Sequence, residues 1–80
     1  MILAYAEAAL RHAKYEILPD DGMFYGEIPE CNGVYAHAKT LEECRDELQE
    51  VLEEWILFRV SRNLPIPLID GFDLRIKEIA

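Results

Sequence analysis

Apolar positions recur along this chain with two different periods, and the switches between them mark out its elements. From residue 2 to 12 the spacing is helical. Ile2, Ala6, Ala9, Leu10 and Ala13 fall on one side, and Glu7 and Arg11 on the other. A helix this short is marginal in isolation, so it has to dock on something. Residues 14–18, Lys-Tyr-Glu-Ile-Leu, alternate instead and predict a strand with Tyr15 and Ile17 on one face. Pro19-Asp20-Asp21-Gly22 reads as a turn, because Pro pre-sets φ and Gly supplies a positive φ. A second strand is predicted from Met23 to Ile28, with Phe24 and Ile28 on one face and Gly26 between them. Pro29-Glu30-Cys31-Asn32-Gly33 is the next turn, carrying the strong Asn-Gly pair. Val34 to Lys39 gives a third strand and completes an antiparallel meander.

The clearest element follows. Thr40-Leu41-Glu42-Glu43 is a capping box, with Thr40 capping the backbone and Glu43 reaching back. A helix runs from it to about Arg62. Leu41, Cys44, Leu48, Val51, Leu52, Trp55 and Phe58 make its apolar stripe, and Glu42, Glu43, Asp46, Glu47, Glu50, Glu53 and Glu54 the opposite face. Pro65 and Pro67 close the helical region. Near its end the pattern blurs, because Trp55-Ile56-Leu57-Phe58 is apolar without a break. Leu57 and Val60 point toward the acidic side. Two readings stand side by side: an oligomer contact through Ile56, Leu57 and Val60, or packing of the N-terminal helix at that place.

Phe72-Asp73-Leu74-Arg75-Ile76-Lys77 alternates as a last strand. The order is α-β-β-β-α-β, an α+β fold. A three-stranded antiparallel meander plus a C-terminal strand carries one long helix packed on the sheet and a short N-terminal helix. The other sheet face is left to solvent, the short helix or a second subunit.

Eighty residues make a single domain, 1–80, and such a chain buries about 60% of its unfolded surface. The composition, 51% hydrophobic and 30% charged, excludes a disordered tail or a low-complexity linker. No apolar run reaches the roughly 18 residues of a membrane span. The Ala-rich start is broken by Glu7 and has no basic region before it, so it is not a secretory signal. A cytoplasmic location is expected, without membrane contact. Sixteen acidic against eight basic residues give a net charge of -8. Phosphate contacts need clustered Lys and Arg, so direct nucleic-acid binding is not expected, whereas a basic protein partner suits the charge.

Cys31 and Cys44 match neither a zinc pattern nor a Cys-x-x-Cys redox motif. Cys44 falls on the apolar stripe and is expected in the core. Cys31 falls in a turn and is expected to be exposed. A disulfide between them is not expected in a reducing cytosol.

Several of these stretches, in this order and spacing, resemble the HicB family, the antitoxins of HicA–HicB toxin–antitoxin systems. They are Tyr15-Glu16-Ile17, the Asp21-Gly22 turn, Tyr25-Gly26-Glu27-Ile28-Pro29-Glu30, Gly33-Val34, the helix start Thr40-Leu41-Glu42-Glu43-Cys44, and Leu64-Pro65-Ile66-Pro67 before the last strand. The resemblance covers residues 14–79. It implies a partial ribonuclease-H-like fold without catalysis. It also implies a small basic HicA-type ribonuclease as partner, whose active site the antitoxin occludes. The pattern departs from the family at Ala38-Lys39, where Gly-Asp is usual, and in its N-terminal helix. Many relatives carry a C-terminal DNA-binding domain, and none is expected here.

Catalysis of this chain's own is not expected. A ribonuclease-H-type site needs carboxylates converging on two metals, and the helical carboxylates here line a convex face. His12 and His37 are the histidine general-base candidates. His37 should face away from the helix if Ala36 and Ala38 face it. A Cys31–His37 nucleophile pair lacks an orienting third group. Gly22, Gly26, Gly33 and Gly71 are isolated, so no phosphate loop, cofactor or metal is called for. Tyr5, Tyr15, Tyr25 and Tyr35 are too dispersed along the chain for a base-stacking platform. The candidate partner-binding residues are the acidic helix face, Glu42, Asp46, Glu47, Glu50, Glu53 and Glu54, with the strand-turn residues Tyr25, Glu27 and Glu30. The alternative is a stand-alone homo-oligomer, a dimer or tetramer, built through Ile56, Leu57 and Val60 or through exposed strand edges.

Overall fold

The computed structural model describes residues 2–71. In chain order it has helix α1 (Ile2–Arg11), strands β1 (Lys14–Ile17), β2 (Phe24–Glu27) and β3 (Tyr35–Ala38), and the long helix α2 (Leu41–Ser61). The strand expected over 72–77 lies outside the described residues. The observed architecture is α+β, with a three-stranded antiparallel sheet in the order β1-β2-β3 and two helices.

Two turns fix the register. In the first, the Leu18 N–H donates to the Met23 carbonyl (2.8 Å) and the Gly22 N–H to the Leu18 carbonyl (2.9 Å). The Asp21 side chain accepts from the Met23 N–H (2.9 Å), and Gly22 takes the positive φ of 71°. In the second, the Ile28 N–H donates to the Val34 carbonyl (3.1 Å) and the Val34 N–H to the Cys31 carbonyl (3.0 Å), with Gly33 at φ 98°. This turn folds inward, so Ile28, Cys31 and Val34 are all buried. The expectation that Cys31 is exposed is therefore corrected. A turn position does not fix the direction of its side chain, and here the loop curls over the end of the core.

The pairing aligns Tyr15, Gly26 and Ala36 in one row across the sheet and Ile17, Phe24 and Ala38 in the next. These rows face the helices, and α2 lies over β2 and β3. Small residues permit its close approach. A Cβ on Gly26 would stand 2.7 Å from the Tyr15 ring and 3.2 Å from the Cys44 sulfur. The Cys44 thiol donates to the Ala36 carbonyl (3.7 Å). Beyond the reach of α2, Ile17 is on the helical side yet 62% exposed.

Both ends of α2 are chemically specified. The Thr40 hydroxyl oxygen accepts from the Glu43 N–H (3.1 Å), the Thr40 half of the capping box. At the other end Arg62 is the C-cap and Asn63 takes the left-handed conformation at φ 57°. The Asn63 N–H donates to the Val60 carbonyl (3.3 Å) and the Leu64 N–H to the Arg59 carbonyl (2.9 Å). This is a Schellman motif, with Asn in the place where glycine is commoner. Pro65 follows it.

Between these ends α2 buries Cys44, Leu48, Leu52 and Ile56, spaced by four residues, with Val51, Trp55 and Val60 half-buried beside them. Leu41 and Phe58, expected in the apolar stripe, are exposed. Ile56, expected as an oligomer contact, is 0% exposed and belongs to the core. Four consecutive apolar residues leave the helical phase undetermined, and the row that starts at Cys44 selects Ile56. α1 packs beside α2 and buries Tyr5, Ala6, Ala8 and Ala9. The Tyr5 hydroxyl donates to the Pro67 carbonyl, and Ile66 and Ile69 close the core from the segment after α2. α1 does not cover Leu57, which stays 58% exposed.

In urea denaturation, Leu52→Ala is expected to cost about 2–5 kcal/mol, and Leu57→Ala to stay within about 0.5 kcal/mol of the parent. Equal costs would contradict the observed phase of α2. Gly26→Ala is expected to cost about 1–3 kcal/mol, because the added methyl overpacks against Tyr15 and Cys44.

Candidate partner-binding surfaces

The residues expected to meet a partner fall on two sides of the molecule. Glu42, Asp46, Glu47, Glu50, Glu53 and Glu54 are all exposed on α2, away from the sheet. Within this face the Gln49 amide donates to Glu53 (3.2 Å). Glu42 and Glu43 occupy the first turn, where the helix dipole favours negative charge. Arg45 interrupts the acids and lines a shallow groove with Leu10, Tyr15, Glu42, Asp46 and Gln49. Burial raises the Tyr15 phenol pKa, with the Arg45 guanidinium pulling the other way.

Tyr25 and Glu27 sit on the opposite side. Gly26, Ala36 and Ala38 face the helices, so the alternate residues of each strand face outward. Lys14 and Glu16 of β1, Tyr25 and Glu27 of β2, and Tyr35 and His37 of β3 form that outer face. No described helix covers it. Tyr25 and Tyr35 are diagonal neighbours across β2 and β3 and stack with ring centroids 6.3 Å apart at 26°. Burial, and after it the neighbouring Glu27 carboxylate, raises the Tyr25 phenol pKa. Tyr35 is absent from the residues expected at a site, because ten residues separate it from Tyr25 in sequence. The Asn32-Gly33 turn holds the clue: once it closes a hairpin there, both tyrosines fall on one face.

Glu30 is engaged elsewhere. Its carboxylate lies 2.7 Å from His12 Nδ1, while His12 Nε2 lies 2.8 Å from Asp70. Both ring nitrogens face carboxylates, so the pair of bonds calls for the imidazolium form. The bonds to Glu30 and then Asp70 raise the His12 pKa above 6.5. The bond to His12 lowers that of Glu30 below 4.5. One exposed side chain thus clamps the end of α1, the β2–β3 turn and the segment following α2.

The chemistry weighed from sequence finds these placements. His37 faces outward, as expected, with Nε2 3.7 Å from Asp21. Cys31 is enclosed, and burial pushes its thiol up to about 11, the reverse of what a nucleophile needs. Cys44 is buried in the core, with its pKa raised for the same reason. Among the described residues no group of three or more His, Cys, Asp and Glu is placed to hold a metal ion. Among them, too, no helix is long and apolar enough to cross a membrane.

A family model described as UPF0150-like matches residues 4–67. The chain is 39% identical to TTHA0281 from Thermus thermophilus. The crystal structure of that protein superposes with a TM-score of 0.83, covering 99% of this chain and 95% of the other. No curated protein matches the chain.

The clamp gives stability a pH dependence with a definite sign. A raised histidine contributes fully below its ordinary value of 6.5, and the contribution is lost as pH rises through the raised value. The lowered Glu30 contributes above its ordinary 4.5, and that contribution is lost as pH falls through the lowered value. Urea midpoints of the parent are expected to fall as pH rises above 6.5, and those of His12→Gln to lack this fall. Parallel profiles for the two would disprove the clamp.

Proposed function

The chain belongs to the UPF0150-like family, a family of small toxin–antitoxin-like proteins, and from that premise we propose that it acts as a HicB-type antitoxin, a non-catalytic module that binds a small basic HicA-type ribonuclease and covers its active site. The observation that carries this reading is the unbroken exposure of the acidic residues of α2. They stand on a helix capped at both ends and anchored in the core by Leu48, Leu52 and Ile56. A rigid acidic face attracts a basic protein from a distance, and such charges act mainly on the association rate. Exposed ion pairs hold little by themselves, about 0–1 kcal/mol each. The outer sheet face, with Tyr25 and Glu27, supplies contacts of a different kind.

A second reading is a stand-alone homo-oligomer. Leu57 and Phe58 support it as exposed apolar side chains at the end of α2, as does β1, which stands at an edge of the sheet among the described residues. Ile56 takes no part, being in the core. The two readings are compatible, since an antitoxin can neutralise its partner as a dimer.

The test is titration against the product of the adjacent reading frame at low and physiological salt. Binding weakened by salt is expected, with Glu47→Lys/Glu50→Lys slowing association about tenfold at low salt. Unchanged association in that variant removes the role of the acidic face. Absence of binding at either salt leaves the oligomer, which light scattering measures.

A further inference from the structure

The outer sheet face has what the acidic face of α2 lacks: aromatic rings held beside carboxylates. Tyr35 is 59% exposed, so its ring has an open side, and Tyr25 backs it at 6.3 Å. Glu27 lies directly opposite Tyr35 in the β2–β3 pairing, which sets its carboxylate beside the rings. Two shallow depressions flank the pair. One is bordered by Lys14, Glu16, Tyr25 and Glu27, the other by Tyr25, Glu27, Pro29, Asn32 and Tyr35. Tyr25 and Glu27 border both.

We propose that this face is the docking surface for arginine side chains of a basic partner protein, with a guanidinium lying on the Tyr35 ring and bonded to the Glu27 carboxylate. The proposal rests on the reading of this chain as a binder of a basic protein, and assigns the holding contact to the sheet rather than to α2. Arginine is singled out because its planar cation both stacks on an aromatic face and meets a carboxylate through paired N–H groups. Lysine offers only a compact, strongly hydrated charge. Interface energy concentrates in Tyr, Trp and Arg contacts, whereas exposed carboxylate rows contribute mostly steering.

Charge argues against the other occupants. Glu16 and Glu27 on this face and Asp21 at its border outnumber Lys14. Two copies meeting face to face about a two-fold axis would set these carboxylates against one another. The phosphates of a nucleic acid would meet the same repulsion.

The test uses the full chain and two capped synthetic peptides of alternating glycine with either arginine or lysine, followed by NMR at low salt. The arginine peptide is expected to shift the ring signals of Tyr25 and Tyr35 most and to bind more tightly than the lysine peptide. Tyr35→Ala with Glu27→Gln is expected to weaken it about tenfold. Both positions are at the surface, and circular dichroism checks that the variant remains folded. Glu47→Lys/Glu50→Lys is expected to weaken both peptides by a smaller, similar factor. The proposal is overturned if the largest shifts map to α2, if the sheet variant binds as the parent does, or if the two peptides bind equally. It is also overturned if Tyr35→Ala dissolves a dimer seen by sedimentation, since the face would then join two copies. None of these outcomes depends on a toxin being found, so a failed titration with the adjacent gene product leaves the peptide result standing.

Discussion

The seating of α2 on the sheet across Gly26, Ala36 and Ala38 is the contact on which the other features depend. A helix with a cysteine at its point of closest approach can come within van der Waals distance of backbone only where the sheet has little or no side chain. The 3.2 Å from a virtual Gly26 Cβ to the Cys44 sulfur measures how little room is left. Closeness here lets Leu48, Leu52 and Ile56 reach the core, each contributing about 2 kcal/mol by burial. It also assigns the two faces of the sheet. The residues on the Gly26 side turn toward the helices, Ile17 at the β1 end staying exposed, and those on the Tyr25 side are left outside. The acidic row of α2 and the tyrosine face therefore point in opposite directions as a consequence of one packing choice.

That choice accounts for which parts of the structure are legible in the sequence. The turns at Gly22 and Gly33 and the cap at Thr40 are local chemistry, specified by a few adjacent residues, and they appear where the sequence places them. The expected orientation of His37 follows from the same alternation. The phase of α2 past Trp55 is not local. Trp55, Ile56, Leu57 and Phe58 are equally apolar, and only the position of the sheet decides that Ile56 goes in and Phe58 stays out. Cys31 shows the same limit: the turn is readable, but its inward curl needs Ile28 and Val34 packed around it.

The candidate site divides along similar lines. The acidic row of α2 is visible in a helical projection because it is a one-dimensional pattern. The Tyr25–Tyr35 stack is a two-dimensional one, and it exists only after β2 and β3 are paired. The His12 clamp is further removed still, joining residues 18 and 58 positions apart in sequence. Its partners, Glu30 and Asp70, are indistinguishable by sequence from the many carboxylates around them. In a chain this acidic, a lone histidine has no unique partner to predict, and the fold alone selects which carboxylates it meets.

Net charge of -8 on so small a domain has a cost in self-repulsion, and the structure shows where it is reduced. Glu42 and Glu43 lie at the positive end of the α2 dipole, and Glu30 and Asp70 share the His12 imidazolium. Arg59, by contrast, lies 4.7 Å over the Trp55 ring and donates to the Pro65 carbonyl, and Arg62 lies over Phe58. These cations brace the end of α2 instead of offsetting its acids. Two of the chain's few basic side chains are thus committed to packing at the C-terminal end. The carboxylates from Asp46 to Glu54 remain largely uncompensated within the described structure, apart from Arg45. Among the described residues the acidic row thus keeps the charge on which the proposed binding of a basic partner would draw, while Arg59 and Arg62 hold the fold elsewhere.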